Sequence, residues 1–326
     1  MTGTKPLEVE VKPPWPFRLQ RRGGGDGTTR VRDGVLYRLL HVDGSPVVVN
    51  VWQRRDGSVM FRASPTAGPV EAFPPRASSP LRGCGRRAGA PHASPPADGA
   101  ALETAVSRVR FALGVDDDLR RFYDEFRKDP VLGPAIRKRP WLRIRRRPWP
   151  WEALAWAITG QLIEAVRAAA IERRIVRRWG PEVEGLRDVP SAELIAGRAP
   201  AELVGMDLSG NRAIAMIRCA REVAAGRADL YDPASDKRLL AIREIGPWTV
   251  QCLGLNGRGD PDSLPAGDLA YVKLVGRLAG LGRRAEIPEI ESYFEPYAPY
   301  RGLAGNFLIT HYHHAVQTGP PLRLAA

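Results

Sequence analysis

An aspartate that opens an apolar-periodic helix, twenty residues beyond a tryptophan, is the pairing in this chain with the clearest chemical use. In LPAGDLAYVKLVGRLAG (264–280) Asp268 follows Gly267 and precedes the helical pattern. Its carboxylate suits two roles. It can cap the helix, or stand as a fixed negative charge beside a cleft, where it stabilises a cationic sugar or activates water. Upstream, DKRLLAIREIGPWTVQCLGLNG (236–257) reads as a helix, a tight turn at Glu244-Ile245-Gly246, and a second helix opening at Pro247. Gly246 is expected to supply the backbone freedom of the turn. Free N–H groups and the positive dipole end at such a helix start suit a phosphate, and turn carbonyls suit a monovalent cation. The same residues also make an ordinary pair of antiparallel helices.

Most of the elements that must hold these groups are helical. A long amphipathic stretch is expected over 151–179, where Leu154, Ile158, Leu162 and Val166 recur every four residues and Gly180 stops the helix. Further helices are expected at about 191–197, 200–205, 209–226, 235–243, 247–256, 268–280, 286–296 and 301–317, with no strand after residue 100. Residues 7–62 are different. LEVEVK alternates, and Asp33-Gly34, Asp43-Gly44 and Asp56-Gly57 separate β-rich runs, the signature of antiparallel hairpins. Between the two parts, 17 of the 37 residues at 64–100 are Pro, Gly or Ser, too few large apolar side chains to pack a core. The organisation expected is therefore a β-rich domain over 1–63, a linker over 64–100, a helical domain over 101–317 and a tail over 318–326. The fold class is α+β.

The hairpin LLAIREIGPWTVQCLGL, followed at this spacing by LPAGDLAYVK, resembles the helix-hairpin-helix DNA glycosylases, and within them the AlkA-type 3-methyladenine DNA glycosylases. PWEALAWAITGQLIEAVRAAAIERRIVRRWG, DLSGNRAIAMIRCAREVAAG and PYRGLAGNFLITHYHH resemble the family's other helices, so the likeness spans about 101–317. The resemblance implies a base-excision-repair enzyme that flips an alkylated base from duplex DNA and hydrolyses its N-glycosidic bond. Asp268 takes the catalytic position. Trp248 falls where bifunctional relatives carry a Schiff-base lysine; an indole forms no imine, so a monofunctional enzyme is implied. Trp248 and Tyr271 are assigned to the base pocket, and Gln161, Leu162, Gly246 and Thr249 to DNA contact. Leu162 fills the gap left by the flipped nucleotide in this reading, and the apolar stripe of a core helix in the plainer one. The backbone carbonyls of Leu240, Ile242 and Glu244 would ligate a sodium or potassium ion, with no cofactor needed for catalysis. The implied partners are damaged double-stranded DNA and a downstream abasic-site endonuclease, for a cytoplasmic, nucleoid-associated monomer. A non-catalytic helix-hairpin-helix DNA-binding protein, or a glycosylase for oxidised or deaminated bases, would share most of these features.

The sequence departs from the family in two places. Glu244 stands where the turn usually begins with Gly. Cys252, Leu269 and Ile309 stand where relatives carry aromatic residues, leaving Tyr271, Tyr293, Tyr297, Tyr300 and Tyr312 to compensate from positions that are as often half-buried core.

Composition agrees with a polyanionic partner. Lys and Arg number 49 against 36 acidic residues in 326, a net charge of +13. RKRPWLRIRRRPW (137–149) concentrates seven basic residues beside Trp141 and Trp149, either a phosphate-tracking surface or a solvated loop. Cys84, Cys219 and Cys252 form no CxxC pair, which argues against a zinc ribbon or a locally held iron–sulfur cluster. His311, His313 and His314 lie at offsets that do not share one helix face, so zinc is not expected there. No apolar run reaches the ~18 residues of a membrane span and no signal-peptide core opens the chain.

Overall fold

The computed structural model describes residues 4–20, 23–66 and 97–318, with side chains described up to residue 312. Most of the expected linker, Cys84, the side chains of His313 and His314, and the tail lie outside the described residues.

The N-terminal strands β1 (Leu7–Val11), β2 (Thr29–Arg32), β3 (Val35–Val42), β4 (Ser45–Gln53) and β5 (Val59–Pro65) form one antiparallel sheet in the order β1-β5-β4-β3-β2. Arg32 pairs with Val35 and Val42 with Ser45. Asp33-Gly34 and Asp43-Gly44 are thus two-residue turns, and all four residues have positive φ. That is the type I′ geometry that matches strand twist.

Helix α1 (Gly99–Leu113) starts at Asp98, whose carboxylate accepts the Ala101 N–H at 2.8 Å. Its Leu102, Val106 and Val109 join Leu36, Leu40, Val49, Val51 and Phe61 in the core of the sheet. The boundary expected at 101 is therefore not a packing boundary, because α1 covers the sheet. After it come α2 (Arg120–Phe126), α3 (Leu132–Lys138), α4 (Pro150–Gly160) and α5 (Ala165–Trp179). A two-residue ribbon, β6 (Glu182–Val183) with β7 (Leu186–Arg187), corrects the expectation of no strand after residue 100. Val183 and Leu186 pack with Leu39 and Val48 of the sheet, a tertiary stabilisation that local periodicity does not carry.

The remaining helices are α6 (Ala192–Ala196), α7 (Pro200–Val204), α8 (Gly210–Ala224), α9 (Asp236–Leu240), α10 (Pro247–Cys252), α11 (Leu269–Leu278), α12 (Ile287–Phe294) and α13 (Arg301–Thr318). Two cores organise them. One gathers side chains of α4, α5, α6, α8 and α10, the other those of α2, α3, α11, α12 and α13. Helix α10 thus belongs to one lobe and α11 to the other, so the segment between Trp248 and Asp268 crosses from lobe to lobe. Among the described residues no helix is long and apolar enough to cross a membrane.

The continuous helix expected over 151–179 is broken. Residues 161–164 leave the helix, and Leu162 takes φ 56°. Arg212 of α8 explains the stop: its Nη1 donates to the carbonyls of Thr159 and Gln161, at 2.9 Å each, and satisfies groups that a further turn would have used.

Candidate active site and nucleic-acid interface

Asp268 caps α11. Its Oδ1 accepts the Ala270 N–H at 2.8 Å, so the capping role is real, and the half-buried carboxylate also lines a cleft of about 910 Å³. Trp248, at the start of α10, lines the same cleft. Its indole fits between two glycines. A Cβ on Gly267 would lie 3.7 Å from Trp248 Cβ, and one on Gly160 3.9 Å from the far edge of the ring. Trp248 Nε1 is buried without a hydrogen-bond partner among the described residues.

Tyr271 is elsewhere. It is buried in the α11–α13 core, edge-on to Phe294 at 5.6 Å, and its ring lies against Gly305. It does not line the cleft, which corrects its assignment to the base pocket. The physical reason is packing: the ring is enclosed by Phe294 of α12 and Gly305 of α13, which leaves it no face on the cleft. Tyr297 is buried in the same core, and Tyr293, Tyr300, Tyr312 and Ile309 pack against it. The rim at Asp268 is aliphatic instead, with Leu269 and Ile287 each about half exposed.

The hairpin turn differs from the sequence reading in one respect. Gly246 has φ −110° and ψ 179°, extended backbone open to any residue. Glu244 is the left-handed residue, at φ 75°. Two side chains from outside the hairpin hold it there. Gln161 Nε2 donates to the Glu244 carbonyl at 2.8 Å, and Asn211 Nδ2 to the Glu244 carboxylate at 3.3 Å. The carboxylate is thereby drawn toward α8. Gln161 Nε2 also donates to Thr249 Oγ1 at 2.9 Å, so the amide group of Gln161 braces the turn. Thr249 is buried, and its N–H donates to the Gly246 carbonyl at 3.0 Å. Among the described residues the Gly246 and Trp248 amides have no backbone acceptor, the ordinary condition of a first helical turn. A Cβ on Gly246 would meet nothing within 4 Å.

Leu162 is 105% exposed, and Val166, on the first turn of α5, is 82% exposed. The stripe read from the sequence therefore ends at Ile158. A fully exposed leucine in the left-handed region is an outlier of the kind that gathers at functional sites.

The basic run is mostly structural. Arg143 is buried and donates to the Gly114 carbonyl, and burial lowers its guanidinium to about 10. Arg146 pairs with Asp117 at 2.6 Å, Arg139 donates to the Thr310 carbonyl, and Arg137 to that of Arg127. Arg147 Nη1 binds Asp26 at 2.7 Å and Glu152 at 3.2 Å. Arg18 lies over the Trp141 ring at 3.4 Å and Arg108 over Trp149 at 5.0 Å. Arg137, Lys138 and Arg145 are exposed, and Arg145 lines the cleft.

Sequence reasoning missed a buried ionic cluster on the cleft wall. Arg38 Nη2 of β3 donates to Glu152 of α4 at 2.7 Å and lies 3.3 Å from Asp188. Asp26 accepts from Arg147, from both the N–H and the hydroxyl of Thr28, and from Trp156 Nε1. Burial raises the Glu152 carboxyl, which Arg38 and Arg147 pull back down. The one sequence signal was Asp26 within a run of glycines. Among the described residues no group of His, Cys, Asp and Glu is arranged to hold a metal ion.

No family model matches the chain. A DNA-3-methyladenine glycosylase of Bacillus subtilis (strain 168) is 26% identical over 216 residues, which span 63% of this chain and 71% of the relative. A probable bifunctional transcriptional activator/DNA repair enzyme AlkA of Mycobacterium tuberculosis (strain ATCC 25618 / H37Rv) is 28% identical over 233 residues, 68% of this chain. The match spans 45% of that relative's length. Among solved structures, a 3-methyladenine DNA glycosylase from Archaeoglobus fulgidus superposes with a TM-score of 0.73 at 18% identity, covering 94% of this chain and 98% of the other. A Clostridium acetobutylicum 8-oxoguanine glycosylase/lyase in complex with double-stranded DNA gives 0.63 at 15% identity, over 96% and 99%.

The architecture is that of the helix-hairpin-helix DNA glycosylases. The curated relatives to which the chain is similar are named as a DNA-3-methyladenine glycosylase and a DNA repair enzyme AlkA.

Proposed function

We propose that the chain is a monofunctional DNA glycosylase that removes alkylated bases from duplex DNA. The observation that carries the reading is the convergence of the Asp268 carboxylate and the Trp248 indole in one cleft. The fully exposed Leu162 stands beside it on the α4–α5 break. A cationic alkylated purine is already a good leaving group. Trp248 attracts it through its ring face, an interaction worth about 1–2 kcal/mol when desolvated. Asp268 faces the sugar. The N-glycosidic bond breaks with its electron pair leaving on the base, and the carboxylate stabilises the oxocarbenium-like sugar. Water then adds to the sugar carbon and gives up its proton, leaving an abasic site for a separate endonuclease. Leu162 occupies the gap in the stack. The protein acts as a monomer, in the cytoplasm with the nucleoid.

The test is release of free bases from methylated duplex DNA, resolved by chromatography; a substrate panel also decides between alkylated and oxidised or deaminated bases. Release of none would leave a non-catalytic DNA-binding protein. With an indole at position 248, borohydride is expected to trap no enzyme–DNA adduct and strand nicking to require added alkali. A trapped band on abasic DNA overturns the monofunctional assignment.

The hairpin anchors the backbone of the lesion strand. Thr249, expected at the phosphate, is buried and its N–H donates to the Gly246 carbonyl, so the Gly246 and Trp248 amides meet one phosphate instead, and the carbonyls of Leu240, Ile242 and Glu244 hold a monovalent cation beside it. The oxygens fit. They are neutral hard donors, and those of Ile242 and Glu244, which accept from Ile245 N–H and Gln161, each keep a second lone pair. Because Gly246 is extended and open outward, Gly246→Val should fold normally and yet block close approach of a phosphate. Anisotropy titrations should show affinity for damaged and undamaged duplex falling together, about tenfold, with the ranking of substrates unchanged. Wild-type affinity in a folded Gly246→Val protein would reduce the hairpin to a structural turn.

A further inference from the structure

Glu172 lies two turns into α5, on the face that lines the cleft with Ala165, Ala168 and Ala169. It is 7% exposed. Three other carboxylates reach the same cleft, and each is committed. Asp26 and Glu152 are held by arginines, and Asp268 caps α11. Glu172 has no hydrogen-bond or ion-pair partner among the described residues, and its carboxyl lines the cleft. Burial pushes it up to about 7; Arg147 pulls it down, and Asp26 and Glu152 push it further up.

Its surroundings are small and firmly held. On the opposite wall, the loop at Gly23, Gly24 and Gly25 comes so close to α5 that a Cβ on Gly25 would lie 3.0 Å from Ala169 Cβ. Arg173, next to Glu172, clamps that loop by donating Nε and Nη2 to the Gly25 carbonyl at 3.0 and 2.7 Å. The glycine loop thus packs directly on α5 at Ala169, and the cleft beside that contact is walled by alanines, glycines and a single uncommitted carboxyl.

Building on the glycosylase reading of this cleft, we propose that Glu172 is a specificity residue that accepts hydrogen bonds from the Watson–Crick edge of a flipped, alkylated guanine. Guanine presents its N1–H and its N2 amino group side by side; these two donors favour the ionised form of Glu172, and the carboxylate accepts from both at once. Adenine offers one amino group beside the N1 lone pair, so a carboxylate gains one bond and faces one repulsion. Glu172 therefore favours guanine-type lesions such as 7-methylguanine, whose positive charge also suits Trp248, over 3-methyladenine. Glutamine at 172 presents one donor and one acceptor and matches the adenine edge.

The experiment is single-turnover base release from oligonucleotides carrying one 7-methylguanine or one 3-methyladenine, with wild type, Glu172→Gln and Glu172→Asp. The ratio of the two rates should fall at least about tenfold in Glu172→Gln, the discrimination that one bidentate pair supplies. It should fall in the same direction in Glu172→Asp, whose carboxylate is withdrawn by one methylene. Affinity for undamaged duplex should stay at the wild-type value in both. An unchanged ratio in both variants, whether activity is kept or both rates drop together, overturns the assignment and leaves Glu172 a structural residue. Should the wild-type chain release neither base, the glycosylase reading itself fails, an outcome distinct from an unchanged ratio in an active enzyme.

Discussion

Asp268→Asn should bind lesion-containing duplex nearly as well as the unaltered chain and release the damaged base at least about 100-fold more slowly. The structure makes this a clean substitution. The side chain caps α11 by accepting the Ala270 N–H, and an asparagine oxygen accepts that bond about as well. What disappears is the negative charge, which matters little to the helix and most when the sugar becomes cationic. Single-turnover release measured beside an anisotropy titration separates the two effects. Near-normal turnover would falsify the assignment. A loss of binding equal to the loss of release would instead make Asp268 a scaffold residue.

Arg38→Met should destabilise the fold by about 3–5 kcal/mol, the cost of removing the buried cation that Glu152 and Asp188 share, since only the half-buried Arg147 remains on Glu152 and His41 on Asp188. Arg38 is 3% exposed, and the carboxylates it serves, Glu152 and Asp188, are 1% and 3% exposed. Glu152 already sits above its ordinary value through burial, and Arg38 is the largest influence pulling it down. Without Arg38 the carboxyl rises further. A group raised in the folded state adds stability below its unfolded value and loses it as pH climbs through the folded one. The deficit should therefore be larger at pH 8 than at pH 5, and the further change Glu152→Gln should recover part of it. Urea denaturation at the two pH values is the measurement. A deficit under 1 kcal/mol at pH 8 would mean that the cluster is hydrated and contributes little.

Features set by adjacent residues were legible in the sequence. Asp-Gly turns fixed the register of the sheet because both residues tolerate positive φ. The hairpin and the Asp268 cap were visible because capping is a matter of a few positions. Features set by distant partners were not. Glu244 adopts a glycine-like φ with Gln161 and Asn211, 83 and 33 residues away, bonded to it. The run at 137–149 looked like a free positive surface because nothing local says that Asp117, Asp26 and Glu152 lie against it. The Arg38 cluster joins residues 114 and 150 positions apart, beyond any periodicity. The α4–α5 break also escaped notice, since the apolar spacing runs through it while Arg212 ends the first helix from outside.

The placement of α1 bears on modularity. The change in composition invites a cut near residue 100 that would free the helical enzyme from its sheet. Helix α1, however, carries Leu102, Val106 and Val109 into the core of the sheet. A fragment beginning at 101 would display those side chains to water, and a fragment ending at 66 would bare the strand face they cover, both of them sticky surfaces. The sheet and its helix thus form one inheritable block. A cut after Gly114, where α1 ends in a left-handed cap, keeps that block whole, yet it still parts Arg38 from Glu152 and Leu39 from Val183, so the block is tied to the helical part by buried contacts of its own.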